Sequence, residues 1–212
     1  MSKQIIIIPA FNEYYSLKKI FNDISKKFKI IIINDASTDK TKKFLEKNKI
    51  ENIENKKNKG YEKSIIEGFK YIAKHYPKTK SIVTFDADGE HNTFDLSRIL
   101  KFYNSNNPDL LVCNRTNIKR NSERFIDSIF KAKYGINDPL SGLKVYKTKI
   151  LKKFFKKFKF KYFLVDLVIL YCKRKYKVLN LSITCNYKKN RKARIGNQEK
   201  ANKKIFNISK II

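Results

Sequence analysis

Three short runs of β-branched residues constrain this chain more than any other feature. QIIII at Gln4–Ile8, KIIII at Lys29–Ile33 and SIVTF at Ser81–Phe85 place apolar residues at consecutive positions. Runs of that length and composition read as buried strands, the habit of a parallel sheet. Pro9 closes the first of them. Between the runs the apolar period changes. Leu17, Ile20, Phe21, Ile24 and Phe28 recur at helical spacing, as do Ile65, Ile66, Phe69, Ile72, Ala73 and Tyr76, with Gly68 a weak spot in that stripe. Thr41–Lys47 and Phe94–Phe102 predict further helices, Ile50–Ile53 and Leu110–Cys113 further strands. This alternation predicts an α/β fold with a mainly parallel central sheet flanked by helices.

The second half is less regular. Glu123–Tyr134 predicts a helix, Gly142–Tyr146 a strand, Lys149–Lys157 a short basic helix, Phe163–Arg174 a longer helix and Val178–Tyr187 a last strand. No repeat or linker divides the chain. At 212 residues one core suffices, so residues 1–195 are expected to form one domain and 196–212 a basic C-terminal tail.

A formal net charge of +30 points to an anionic partner: nucleotide, nucleic acid or an anionic membrane surface. AT-rich coding would enrich Lys, but it enriches Glu equally and leaves the imbalance unexplained. Hydrophobic content of 42% excludes a disordered chain. Cys113, Cys172 and Cys185 are odd in number and widely spaced, which suits a reducing cytoplasm and no disulfide framework. The N-terminus lacks a signal peptide's features. YFLVDLVILY is about half a membrane span and contains Asp166. The expected location is cytoplasmic, with peripheral contact at most on the cytoplasmic face of a membrane.

Three polar clusters follow the predicted strands, where ligands bind in open α/β sheets. In FDADGEHN, Asp86 and Asp88 sit two apart, a spacing that on a strand puts both carboxylates on one face. Hard divalent cations such as Mg2+ and Mn2+ prefer such oxygen donors and complete their shells with substrate phosphates. Glu90 and His91 stand ready as a further ligand or support. The structural alternative is a solvated turn. In NDAST, Asp35 offers a carboxylate to a nucleobase or ribose edge, while Ser37 or Thr38 suits a helix N-cap. Glu13 in IPAFNE begins a helix, where it also complements the dipole. Arg124 and Ser128 are spaced i,i+4 as a phosphate grip or as plain surface charge, and Arg115 follows a strand. Asp138 in NDPLSG is a base or a turn residue.

Taken together, IIIIPAFNE, IIINDASTDKT, NKG, FDADGEHN, CNR, R-x-x-x-S and NDPLSGLKVY resemble family-2 inverting glycosyltransferases in order and spacing. The likeness is greatest to the dolichol-phosphate mannose synthase and polyprenyl-phosphate glycosyltransferase branch, and it covers residues 4–195. The resemblance implies a GT-A (Rossmann-like) fold, a nucleotide-sugar donor such as a UDP- or GDP-sugar, and Mg2+ or Mn2+ as cofactor. It assigns Pro9, Phe11, Glu13 and Asp35 to the nucleotide, Asp86, Asp88 and Glu90 to the metal, and Asp86 also to the diphosphate. Arg115, Arg124 and Ser128 fall to phosphate binding and Asp138 to the neighbourhood of the acceptor, so that Asp88 and Asp138 become the candidate catalytic acids. Glu62 replaces the second glycine of the family's N-x-G-x-G stretch, Val168 and Asn180 stand where carboxylates are usual, and the closing Arg–Gly motif survives loosely as RKARIGN.

The expected acceptor is a polyprenyl phosphate, dolichyl or undecaprenyl; the alternative is a saccharide hydroxyl in surface polysaccharide synthesis. An ionised phosphate needs no base, whereas a hydroxyl does, and Asp138 is then the candidate. FFKKFKFKYF alternates apolar and cationic residues and suits an anionic leaflet or an ordinary amphipathic cover for the core. A nucleic-acid-binding module, the distant alternative from charge alone, leaves the acidic cluster unexplained, so nucleic acid is not an expected partner.

Overall fold

The isoleucine runs become the middle of a seven-stranded sheet in the computed structural model, which describes residues 4–157, 162–187 and 206–208. The strands are β1 (Gln4–Ala10), β2 (Lys29–Asn34), β3 (Asn52–Glu54), β4 (Ser81–Thr84), β5 (Leu110–Arg115), β6 (Lys144–Lys147) and β7 (Val178–Ile183). Their order is β3-β2-β1-β4-β6-β5-β7, and β6 alone runs antiparallel to its neighbours. The α/β expectation with a mainly parallel sheet therefore holds.

Consecutive isoleucines serve opposite faces. Ile5, Ile7, Ile31 and Ile33 pack with Ile65, Phe69 and Ile72 of α3 (Tyr61–His75), with Ile126 and Phe130 of α5 (Asn121–Tyr134) and with α7 (Phe163–Lys173). Ile6, Ile8, Ile30 and Ile32 pack with α1 (Tyr14–Ile24), α2 (Thr41–Lys47) and α4 (Asp95–Asn106). Both faces are covered, which is why these strands show no polar alternation. Gly68 is not a weak spot but a close-packing position. A Cβ there would stand 3.0 Å from Ile33 and 3.2 Å from Ile7, so its absence lets α3 lie close on the sheet.

Several boundaries differ from the sequence expectation. β1 runs through Pro9 to Ala10. The β1–β4 ladder ends at the Ile7–Thr84 pair, whereas pairing with β2 continues to Ala10, and Ala10 accepts the Asp35 amide. Backbone groups alternate sides along a strand, so Pro9 lacks a donor only where no partner strand remains. The basic stretch after β6 divides into α6 (Thr148–Lys152) and one 3-10 turn at Phe155–Lys157. β7 stops at Ile183, four residues before the expected end.

YFLVDLVILY forms most of α7, with Phe163, Leu164, Val165, Leu167, Val168 and Tyr171 buried in the core. Among the described residues no helix is long and apolar enough to cross a membrane. Residues 158–161 of FFKKFKFKYF, the RKARIGN motif and the expected 195/196 domain boundary lie outside the described residues. Ile208 is buried against the α5–α7 side of the core.

Candidate active site

With β6 as the single reversed strand, the loops after β1, β2, β3, β4 and β5 and the loop entering β6 all open at one edge of the sheet. The first two clasp each other. Asn12 accepts the Thr38 amide at 2.7 Å through Oδ1, and its own amide donates to Ser37 Oγ at 3.1 Å. Ser37 and Thr38 therefore do not cap α2, whose N-cap position is Lys40. Asp39 receives the Thr41 amide instead. Asn12 and Ala36 hold positive φ angles of 55° and 61°, the backbone cost of this clasp. Pro9 is buried in β1, Phe11 is exposed beside the clasp, and Glu13 is the N-cap of α1.

Asp35 is 3% exposed and organises the loop after β3. Its Oδ1 accepts Asn55 Nδ2 at 2.8 Å and the Lys59 amide at 2.9 Å, while Oδ2 accepts the Gly60 amide at 2.8 Å. Gly60 adopts φ 86°, ψ 162°, a region open essentially to glycine alone, so the NKG glycine is a backbone requirement. The next residue, Tyr61, donates its hydroxyl to Asp86 Oδ1 at 2.5 Å. Asp35 and Asp86 are thus joined through three consecutive residues.

β4 ends at Thr84, so Asp86 and Asp88 sit on a turn beyond the strand. Asp86 Oδ2 lies 3.2 Å from His91 Nε2, and the backbone of Gly142 abuts the same carboxylate. A Cβ at Gly142 would fall far inside van der Waals contact with both carboxylate oxygens. Burial would raise the Asp86 carboxyl, but the hydrogen bond and charge of His91, the Tyr61 hydroxyl and the Arg115 charge hold it below the usual carboxylate value. Burial pulls the other way on His91, yet its bonds to Asp86 and Cys185 push it up to about 10. Asp88 is half-buried and accepts the Glu90 amide at 2.9 Å through Oδ1. The Glu90 carbonyl accepts the Asn186 amide at 2.8 Å.

On the other side of the crevice Arg115 grips Asp138 with two prongs, Nε to Oδ2 at 2.7 Å and Nη2 to Oδ1 at 2.8 Å. The Arg115 amide adds a third bond to Oδ2 at 2.9 Å. Asp138 is 2% exposed and holds a φ of 46°. Burial alone would lower the Arg115 guanidinium, but Asp138 and Glu123 raise it well above the ordinary arginine value. Arg124 and Ser128 bond to backbone carbonyls rather than to each other. Arg124 donates to the Ile118 and Lys119 carbonyls, and Ser128 Oγ donates to the Phe125 carbonyl in its own helix.

The family model of glycosyl transferase family 2 matches residues 5–178 of the chain. The chain belongs to this family. An uncharacterized protein of Methanocaldococcus jannaschii is 30% identical over 70% of the chain and 73% of its own length. The UDP-N-acetylglucosamine–dolichyl-phosphate N-acetylglucosaminyltransferase of Methanococcus voltae is 26% identical over 69% of the chain and 70% of its own length. Two other curated relatives are matched over only 40% of their length. Among solved structures, the glucosyl-3-phosphoglycerate synthase of Mycobacterium tuberculosis with Mn2+, UDP-glucose and phosphoglyceric acid superposes with TM-score 0.67 at 14% identity. That match covers 89% of the chain and 72% of the synthase. The fold is GT-A, and the protein is a glycosyltransferase.

In this glycosyltransferase the metal question turns on the donor set. No group of three or more His, Cys, Asp or Glu side chains among the described residues could hold an ion by itself. Mg2+ and Mn2+ do not need one, since one or two carboxylates with substrate phosphates suffice. Asp88 fits that arrangement, as an acid at the crevice whose neighbour Asp86 is already tied to Tyr61 and His91.

Three tertiary contacts escape a reading of the sequence. Tyr61 reads only as the start of a helix, and its reach to Asp86 is a tertiary fact. Asn180, standing where the family usually has a carboxylate, bonds both backbone groups of Asn137, with Oδ1 accepting the amide and Nδ2 donating to the carbonyl, each at 3.0 Å. A carboxylate lacks the donor for the second bond. Lys144 is fully buried and, among the described residues, its ammonium donates to the Ser141 carbonyl. The signal was a lysine between apolar residues in LKVY.

Proposed function

We propose that this glycosyltransferase moves a sugar, with inversion, from a nucleotide-sugar to a polyprenyl phosphate. The observation that carries the choice of acceptor is the Arg115–Asp138 pair. Both Asp138 oxygens are committed to one guanidinium, and the carboxylate is 2% exposed. A carboxylate so held is a poor general base, because taking a proton would forfeit a buried, two-pronged ion pair. A phosphate acceptor is ionised near neutral pH and needs no base, since its second pKa is about 6. A saccharide hydroxyl would need one. Asp138 then positions the acceptor loop rather than deprotonating anything.

On the donor side Asp35 holds the loop of Lys59 and Gly60, which would face the nucleoside, and Tyr61, the next residue, bonds Asp86. Asp88 is the residue that would hold Mg2+ or Mn2+, with Glu90 beside it. A divalent cation supplies Lewis-acid stabilisation of the diphosphate that leaves the anomeric carbon. The acceptor oxygen approaches from the opposite face, bounded by Arg115, Lys119, Arg124 and Tyr187, which line one concavity. The Methanococcus voltae relative, named for a dolichyl-phosphate acceptor, and the +30 charge both favour an anionic lipid partner and peripheral contact with an anionic membrane.

A thermal-shift panel of UDP-, GDP-, CDP- and dTDP-sugars with and without Mn2+ tests the donor. A ligand at a hundred times its dissociation constant adds about 2.7 kcal/mol, and Asp88→Asn should remove the Mn2+-dependent increment. Transfer of radiolabelled sugar to undecaprenyl or dolichyl phosphate, against a saccharide acceptor, tests the rest. Transfer to the saccharide alone overturns the phosphate reading.

A further inference from the structure

His91 and Cys185 have no role in the chemistry described so far, yet they are among the most enclosed polar groups near the crevice, at 5% and 4% exposure. His91 Nε2 faces Asp86 Oδ2 at 3.2 Å, and its Nδ1 faces Cys185 Sγ at 3.4 Å. A carboxylate only accepts, so Nε2 carries a proton and donates it to Asp86. The Phe85 ring, with its centroid 5.7 Å away, walls the imidazole from one side. Cys185 is fixed in turn. Asn117, in the loop after β5, accepts the Cys185 amide at 3.2 Å and donates to the Cys185 carbonyl at 2.8 Å. One residue further, the Asn186 amide binds the Glu90 carbonyl, so the acidic loop is tied to the exit of β7 at two successive positions.

We infer that His91 is a positioning residue for the donor site, a strut that transmits the position of Cys185 and the β7 exit to the Asp86 carboxylate. The run Asn117–Cys185–His91–Asp86–Tyr61 joins the loop after β5, the end of β7, the acidic loop and the start of α3. Asp86 Oδ1 is set from the α3 side and Oδ2 from the β7 side. Without His91 the carboxylate keeps its bond to Tyr61 but can turn about it. The donor would then meet a misplaced acid, and a misplacement of about 1 Å costs on the order of 100-fold in transfer rate, with the weaker grip on the diphosphate read as lost affinity. This role rests on the donor reading above, in which Asp86 belongs to the nucleotide-sugar site.

Calorimetric titration of UDP in the presence of Mn2+ into the full chain, with thermal melts of each variant, tests it. His91→Ala should weaken UDP binding at least 10-fold while still melting in one transition. His91→Gln, whose amide nitrogen takes the place of Nε2, should recover at least part of that loss. Cys185→Ala should weaken binding about threefold to fivefold, and Cys185→Ser, which keeps an acceptor, less than Cys185→Ala. These two cover the case in which His91→Ala does not fold. Wild-type affinity in His91→Ala or Cys185→Ala, or equal losses in His91→Ala and His91→Gln, overturns the strut alone. Where the wild type does not bind UDP, the same titrations are made with GDP, CDP and dTDP, and failure of the wild type to bind any of the four with Mn2+ overturns the donor reading and the strut with it.

Discussion

Replacing Lys144 with methionine should change how stability depends on pH more than it changes stability at any one pH. Lys144 lies on β6 opposite Thr84, fully buried, where desolvation lowers its ammonium from 10.5 to about 8 against the pull of Asp138 and Asp86. That fall corresponds to about 3 kcal/mol against the folded, charged form. Below pH 8 both folded and unfolded chains carry the proton, and folding bears the whole cost. Between pH 8 and 10.5 only the unfolded chain still holds it, so the stability of the wild type rises with pH. A methionine side chain has no such proton. The stability of the wild type relative to Lys144→Met should therefore increase by about 2 kcal/mol between pH 7.5 and 9.5. At pH 7.5 alone the comparison is less telling. Removing the buried charge helps the variant, but the Ser141 carbonyl loses its ammonium donor, at a cost of about 1–3 kcal/mol. The charged neighbours do not confuse the window, since Asp86 stays ionised and Cys113 is pushed up by burial to about 12. His91, pushed up against burial to about 10 by Asp86 and Cys185, is common to both proteins, and Lys144 is not among the groups that shift it. Urea unfolding of both proteins at the two pH values and one ionic strength gives the number. A difference that stays constant within about 0.5 kcal/mol would refute the placement of a charged lysine inside the core.

Other substitutions probe the walls of the crevice. Gly142→Ala forces the Asp86 carboxylate to move by about 1 Å, and the rate of sugar transfer measured with Mn2+ should fall on the order of 100-fold. Tyr61→Phe removes a hydrogen bond to a charged acceptor, and urea unfolding should report a loss of about 1.5–3 kcal/mol. Asp138→Asn leaves Arg115 buried with Glu123 as its remaining partner, and urea unfolding should report a loss of about 3 kcal/mol, the low end for a broken buried pair. Its rate per folded molecule should fall by less than a missing base would demand, and near-complete loss would restore Asp138 as a base.

What could be read from the sequence divides along a physical line. A strand buried on both faces must be apolar at every position, so QIIII and KIIII announced themselves, and each polar cluster at a strand end marked the crevice edge. Those are local rules, and they fixed the order of elements and most of their centres. Local rules failed where a residue's partner is distant in the chain. Asp86 is adjusted by Tyr61, 25 residues before it, and by the backbone of Gly142; Asp138 answers to Arg115, 23 residues earlier. Cys185 reaches His91 across 94 residues. Nothing in DADGEHN shows that Asp86 is held on both oxygens by residues distant in the chain, so the motif reads as a pair of equivalent ligands. Folded, the two differ. Asp86 is fixed by partners from both sides of the crevice, whereas Asp88 lies on the turn beyond it with a local bond to the Glu90 amide. The asymmetry follows from β4 ending at Thr84, which frees the chain to turn between the two acids instead of presenting both on one strand face.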